Sequence, residues 1–218
     1  MSKNLIFGLI SLVLLGCGSE GTSCINCTNP DDINLTKDIQ NGKISGYHSS
    51  DPIDIQYLSI INYFRSLDIK CDDPQAIQGP SGSNLVWDDN LKDSTKEHSE
   101  DMMKSNWYSH DGSGTLNDKT AVDLNLGRGS KFYERISHNG FSGSTTAENI
   151  ARIKTKPNIP ASDAWIGAME GWIKSKHGHC SNIMNPNLKY FGMYESRTTS
   201  ADSNGYYKAY WTQDFGSD

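Results

Sequence analysis

Three features of this 218-residue sequence predict an α+β fold. Amphipathic helical stretches fill its middle, two alternating stretches close it, and no strand-helix-strand alternation links them. The expected architecture is a three-layer α-β-α sandwich with a small, mostly antiparallel sheet flanked by helices. A hydrophobic fraction of 35% is modest, but aromatic residues make up 10% of the chain and each buries a large area.

The elements follow in order. A first helix begins after Pro52 with Asp54 as its cap; Tyr57, Ile60, Ile61 and Phe64 fall on one face, while Gln56, Ser59 and Arg65 lie toward the other. It ends before a loop at 71–83 broken by Pro74, Gly79, Pro80 and Gly82. A second helix is expected over 88–105, with Leu91, Thr95, His98 and Met102 along one side, and a third over 160–175 carrying Trp165, Ala168, Met169 and Trp172. Segments 190–197 and 206–215 read as strands. In the latter, Tyr206, Lys208, Tyr210 and Thr212 alternate with Tyr207, Ala209, Trp211 and Gln213, and Ser203-Asn204-Gly205 turns the chain between the two.

The N-terminus reads as a targeting segment. Lys3 precedes an eleven-residue apolar run from Leu5 to Leu15, too short for the roughly 20 residues that span a bilayer. Leu14-Leu15-Gly16-Cys17 resembles the bacterial lipobox, which implies that 1–16 are removed and that Cys17 is lipidated. The expected location is the bacterial cell envelope, outside the cytoplasm, with the membrane as a partner through Cys17. Residues 17–50 are rich in Gly, Ser, Asn and Asp and read as a flexible linker, leaving 51–218 as the folded domain. Within the linker, Asp32-Ile33-Asn34-Leu35-Thr36 resembles an acidic glycosylation sequon. Of the remaining cysteines, Cys71 with Cys180 is the favoured disulfide, and Cys24 and Cys27 form a local loop or stay reduced. A formal charge of −6, with no run of three basic residues, excludes nucleic acid as a partner.

Five separated motifs carry a family resemblance. Trp87-Asp88 with Leu91 and His98-Ser99-Glu100-Asp101-Met102, then Ser109-His110, then Ala147-Glu148-Asn149-Ile150-Ala151, occur in that order. Trp172-Ile173-Lys174-Ser175 with Gly178-His179-Cys180-Ser181-Asn182-Ile183, and finally Tyr210-Trp211-Thr212-Gln213-Asp214-Phe215-Gly216, complete the set. Together they resemble the CAP superfamily of cysteine-rich secretory proteins, antigen 5 and pathogenesis-related 1, over about residues 55–216.

The resemblance implies a central cleft in which two histidines face two acids. His110 and His179 are the expected nitrogen ligands for a divalent cation such as zinc, with Glu148 orienting a ligand or a bound water. For the second acid, Glu134 is preferred over Asp111 and Asp118. His177 competes with His179 for the cleft position, and the Gly-His register favours His179. The expected role is a binding or interaction module for a lipid or protein ligand. The alternatives are a metal-dependent hydrolase with Glu148 as general base, and a structural envelope protein with a vestigial cleft. Ser109-His110-Asp111 is no catalytic triad, because adjacent side chains diverge. His98 reads as a satisfied histidine at the core edge, and His48 and His138 as solvent-exposed.

Overall fold

The computed structural model describes residues 27–73, 82–156 and 161–218. Cys17, Cys24 and the apolar run before them lie outside that set, as do Pro74, Gly79, Pro80 and Pro160. A 3-10 turn (Pro30–Asp32) leads into α1 (Leu35–Gln40) and α2 (Ile53–Ser66), then a short β1 (Val86–Trp87) and the long α3 (Asp89–Ser105). Two short helices, α4 (Lys119–Asp123) and α5 (Phe132–His138), precede β2 (Thr146–Thr155). The chain finishes with α6 (Ala161–Ile173), α7 (His179–Met184), β3 (Tyr190–Arg197) and β4 (Tyr207–Gly216).

The four strands lie in the order β1-β3-β4-β2; β1 runs parallel to β3, and both other pairings are antiparallel. β4 sits at the centre, and period-two alternation sorts its side chains between two helical layers. Ala209, Trp211 and Phe215 join the main core with α2, α6 and α7, where Tyr57, Ile60, Ile61, Phe64, Trp165, Met169 and Trp172 are all buried. On the opposite face Tyr210 packs with Met102 of α3 and Ile150 of β2. Helix α3 lies so close to the sheet that a Cβ at Gly192 of β3 would run into the backbone of Leu91 and Lys92. That contact sets the depth at which His98, nearly two helical turns further on, is buried. The three-layer sandwich is thus the observed architecture.

Two expectations need correction. Residues 27–50, expected as linker, belong to the folded body: Ile33, Leu35 and Ile44 join the main core, and the Leu35 amide donates to Glu170 of α6 at 3.0 Å. Thr28 bridges to Ile69 in parallel fashion. The spaced apolar residues have no helical period because each anchors a separate short element, and burying Leu35 completely is worth about 1.5–3 kcal/mol. Arg65, expected on the outer face of α2, is buried. Its guanidinium donates to the carbonyls of Ser83, Ile183 and Asn185, which ties the loop before β1 to the end of α7.

The disulfide joins Cys71 to Cys180, with Cα atoms 5.6 Å apart across a sequence separation of 109. It fastens the segment after α2 to the first turn of α7 and contributes roughly 4–5 kcal/mol in the chain-entropy view. Cys27 is also disulfide-bonded, which removes the reduced alternative for that residue.

Candidate functional site

At the end of the sheet where β2 begins, a loop from α3 meets α5 and α7. Asn106 caps α3 in a left-handed conformation (φ 48°), a geometry asparagine tolerates, and turns the chain toward β2. Asp101 pins the loop by accepting from the Ser113 amide at 2.7 Å and its hydroxyl at 2.6 Å. Asp118 holds the far side, accepting from the amides of Gly114, Ala121 and Ser130. Burial alone would raise the Asp118 carboxyl, but these backbone donors outweigh it and lower its pKa. The loop is therefore fixed at both ends, and His110 stands between them.

His110 Nδ1 lies 2.8 Å from Glu148 Oε1, and Arg135 Nη2 donates to Glu148 Oε2 at 2.6 Å. Arg135 and the Glu148 side chain are almost wholly buried, whereas the His110 side chain is 51% exposed. The guanidinium is itself held in place: it also donates to the carbonyls of Ser130 and His110, at 3.0 and 2.9 Å. Burial pushes the Glu148 carboxyl up, but Arg135, then His98 and the His110 hydrogen bond, hold its pKa at about 2. Glu148 is therefore an anion at neutral pH. In either charge state of the imidazole, Nδ1 carries the proton that Glu148 accepts, and Nε2 is turned to the cleft.

The cleft over this pair has a volume of about 650 Å³ and is lined by His110, Asp111, Lys131, Phe132, Tyr133, Thr146, Ala147, Glu148 and Asn182. Phe132 and Tyr133 form an edge-to-face pair with centroids 5.5 Å apart, and Tyr133 is 53% exposed, which gives the cleft an aromatic wall. On the opposite side Asn182 of α7 donates to the Glu148 carbonyl at 3.2 Å and to Asn149 Oδ1 at 2.9 Å. Asn149 in turn donates to Gln213 Oε1 at 3.1 Å. These amides fasten α7 to β2 and were not singled out in the sequence.

His179 opens α7 beside the cleft without lining it. Its Nδ1 lies 3.0 Å from Ser175 Oγ. Burial, then the charges of His110 and His177, lower its pKa, so it is neutral at neutral pH and near enough to feel both imidazoles. His177 is exposed. Among the described residues no group of three or more His, Cys, Asp or Glu could hold a metal ion. Two imidazoles with one carboxylate behind them fall short of the three or four protein ligands of a usual zinc site.

Glu134, the preferred second acid, is elsewhere. Its carboxylate takes a bidentate pair from Arg128 at 2.7 and 2.8 Å and caps α5 through the Lys131 amide. The Arg128 hydrogen bond comes first among the causes that hold its pKa at about 2. Of the other candidates, Asp118 is spent on backbone amides and Asp111, at the cleft, pairs with Lys131 at 2.6 Å. The second acid beside Glu148 is Asp214, its partner across β2 and β4. Asp214 is completely buried, and neither of its oxygens has a hydrogen-bond partner. Burial, then the charge of Glu148, pushes its pKa well above the ordinary carboxylate range, while nearby Ser94 tempers the shift; Asp214 is the protonated member of the two. His98 completes this buried layer. Its Nε2 contacts the Ser109 carbonyl at 2.9 Å, its Nδ1 has no partner, and burial followed by the Arg135 charge lowers its pKa to about 4. His138, expected in a solvent-exposed loop, ends α5 and contacts Asp123 at 3.0 Å.

Comparison with known proteins points to one family. The family model described as the cysteine-rich secretory protein family (CAP) matches residues 58–215. No curated relative matches the chain. Among solved structures, an extracellular protein containing an SCP domain from Bacillus anthracis is 23% identical, with a TM-score of 0.49. The alignment covers 76% of this chain and 40% of that one, so the present chain spans less than half of that protein. An outer surface protein from Borrelia burgdorferi is 18% identical with a TM-score of 0.46, covering 85% of this chain and 96% of the other.

The protonated state of Asp214 has a signature in stability. Above the ordinary Asp pKa of 3.8 the unfolded chain releases this proton while the folded one retains it. Stability contributed at this position therefore falls as pH rises from about 4 through the folded pKa. Urea melts of Asp214→Asn and the parent protein at successive pH values should show a difference that grows in favour of Asn with rising pH, by at most about 1.4 kcal/mol per pH unit. A pH-independent difference, or one that shifts toward Asp, contradicts the assignment.

Proposed function

The chain belongs to the cysteine-rich secretory protein (CAP) family, and from that premise we propose that it is an extracytoplasmic binding module that holds a ligand in the His110/Glu148 cleft without transforming it. The observation that carries this reading is the hydrogen-bonded series Arg135–Glu148–His110. A general base must be free to take a proton near working pH. Glu148 has both oxygens engaged and its pKa held well below the ordinary carboxylate range, which argues against that role. Among the described residues no Ser or Cys side chain is hydrogen-bonded to His110 that could serve as a nucleophile. What remains is recognition chemistry: an imidazole of fixed orientation, an aromatic wall and amide groups around an open cleft.

Within this reading His110 and His179 each offer an Nε2 to a divalent cation such as zinc, with Glu148 orienting His110. Water would supply the remaining ligands, so the site would be weak and exchangeable. The lipobox-like sequence ending at Cys17 supports attachment to a membrane of the bacterial cell envelope, and the Cys71–Cys180 disulfide suits an oxidising compartment. No helix among the described residues is long and apolar enough to cross a membrane. A lipid or protein of the envelope or its surroundings is the ligand class this setting supports.

Zinc titrated calorimetrically into the purified protein should bind weakly, and binding should vanish in His110→Ala/His179→Ala with the fold retained. Removing the orienting carboxylate in Glu148→Gln should weaken it by about 10–100-fold. Metal-dependent hydrolysis of ester or peptide substrates that is lost in Glu148→Gln would overturn the binding-only reading. For the anchor, Cys17→Ala should move the protein from the membrane to the aqueous fraction. Fractionation that does not change would refute lipidation at Cys17.

A further inference from the structure

β2 is an edge strand, and its outer edge is finished differently at its two ends. Near the cleft the outward carbonyls are covered: that of Glu148 by Asn182, and that of Ile150 by Trp172 Nε1 at 2.9 Å and the Tyr108 hydroxyl at 3.3 Å. Backbone groups on an antiparallel strand face the same side at every second residue. Arg152 and Lys154 therefore present their amides and carbonyls to the same outer edge. No hydrogen bond from a described residue covers them there.

The same stretch concentrates positive charge in a chain whose formal charge is −6. Arg152 and Lys154 are exposed on one face of β2, and exposed Lys156 continues the alternation just past its end. Aromatic rings brace all three: Arg152 lies 4.7 Å from the Tyr108 ring centroid, and Lys154 and Lys156 lie 4.3 and 4.2 Å from that of Tyr206. Lys208 of β4 sits directly across from Lys154, an unfavourable like-charge pairing. Asp202 is the sole carboxylate among the described residues within 4.0 Å of any of these cations, 3.9 Å from Lys154 and 3.4 Å from Lys208. Four cations thus share one acid.

We propose that the outer edge of β2 from Arg152 to its end, with Lys156 just beyond, docks an extended acidic polypeptide segment, which adds as a further strand and sets a carboxylate against each cation. The alternation supports this, because side chains two residues apart on a strand repeat at about 6.6–6.8 Å on both partners. The edge chemistry selects polypeptide over other polyanions. An open strand edge offers donors and acceptors in turn, and phosphate or sulfate groups can satisfy only the donors. The track is separate from the His110/Glu148 cleft and stands whether or not the cleft binds metal. The competing role for these lysines is to discourage edge-to-edge association, which requires no partner at all.

The probe is a capped ten-residue peptide alternating Glu with Thr, titrated at low salt and followed by amide NMR and hydrogen exchange. Binding should slow exchange at the Arg152 and Lys154 amides. It should weaken by at least about tenfold in Arg152→Glu/Lys154→Glu, and similarly for a peptide N-methylated at alternate residues, which keeps the charges and loses the edge bonds. Circular dichroism checks folding, and Arg152→Gln/Lys154→Gln replaces the charge reversal if that variant unfolds. Absence of binding, unchanged exchange at the two amides, or equal binding of the N-methylated peptide or of sulfated dextran each overturns the proposal.

Discussion

The ion pair between Arg135 and Glu148 is the constraint on which the cleft depends. Both side chains are 1% exposed, so neither charge can be relieved by water. Removing one partner from such a pair costs about 3–5 kcal/mol, because the other is left buried and uncompensated. That penalty locks α5 to β2, and through Arg135 it also locks the carbonyls of Ser130 and His110. The cleft is therefore held rigid from its floor, and the exposed imidazole of His110 inherits its orientation from charges that solvent does not reach.

The same pair explains the asymmetry of the two acids on β2 and β4. Glu148 and Asp214 lie in register on the same face of the sheet, and only one of them meets a guanidinium. In a dry layer two neighbouring carboxylates cannot both ionise. The one beside Arg135 takes the charge, and the other keeps its proton. Ser94, His98 and Asp214 then carry buried polar atoms without hydrogen-bond partners, immediately behind the functional cleft. Natural folds retain few such groups, and their concentration here marks a layer organised around electrostatics more than packing.

Much of this was legible in the sequence. The 3.6-residue period placed Tyr57, Ile60, Ile61 and Phe64 in the core, and the stretch from Leu91 to Met102 against the sheet. Alternation marked β3 and β4, and the motif order located His110 and Glu148. Other features depended on partners distant in the chain. Leu35 reads as a tether residue until α6 is folded beside it, and Arg65 reads as solvent-facing until the carbonyls of Ser83, Ile183 and Asn185 converge on it. Glu134, preferred as the second acid, turns to Arg128, while its neighbour Arg135 crosses to Glu148. Asp214 lay within a recognised motif, but a strand residue declares a buried acid only when its cross-strand partner is known. β2 was overlooked as a strand because its alternation sets Ala147, Asn149, Ala151 and Ile153 against Glu148 and the cations Arg152 and Lys154, so its inner face is only weakly apolar.

The central claim is that a buried charge pair fixes the exposed imidazole, and nitrogen-15 NMR of the His110 ring tests it most directly. Measured where the ring is neutral, the parent protein should show the proton on Nδ1 and a bare Nε2. In Arg135→Met/Glu148→Leu, which leaves no charge unpaired in the core, the ring should relax to the tautomer mixture of an unconstrained histidine. A proton on Nε2 in the parent protein, or the same tautomer in both proteins, would contradict the account.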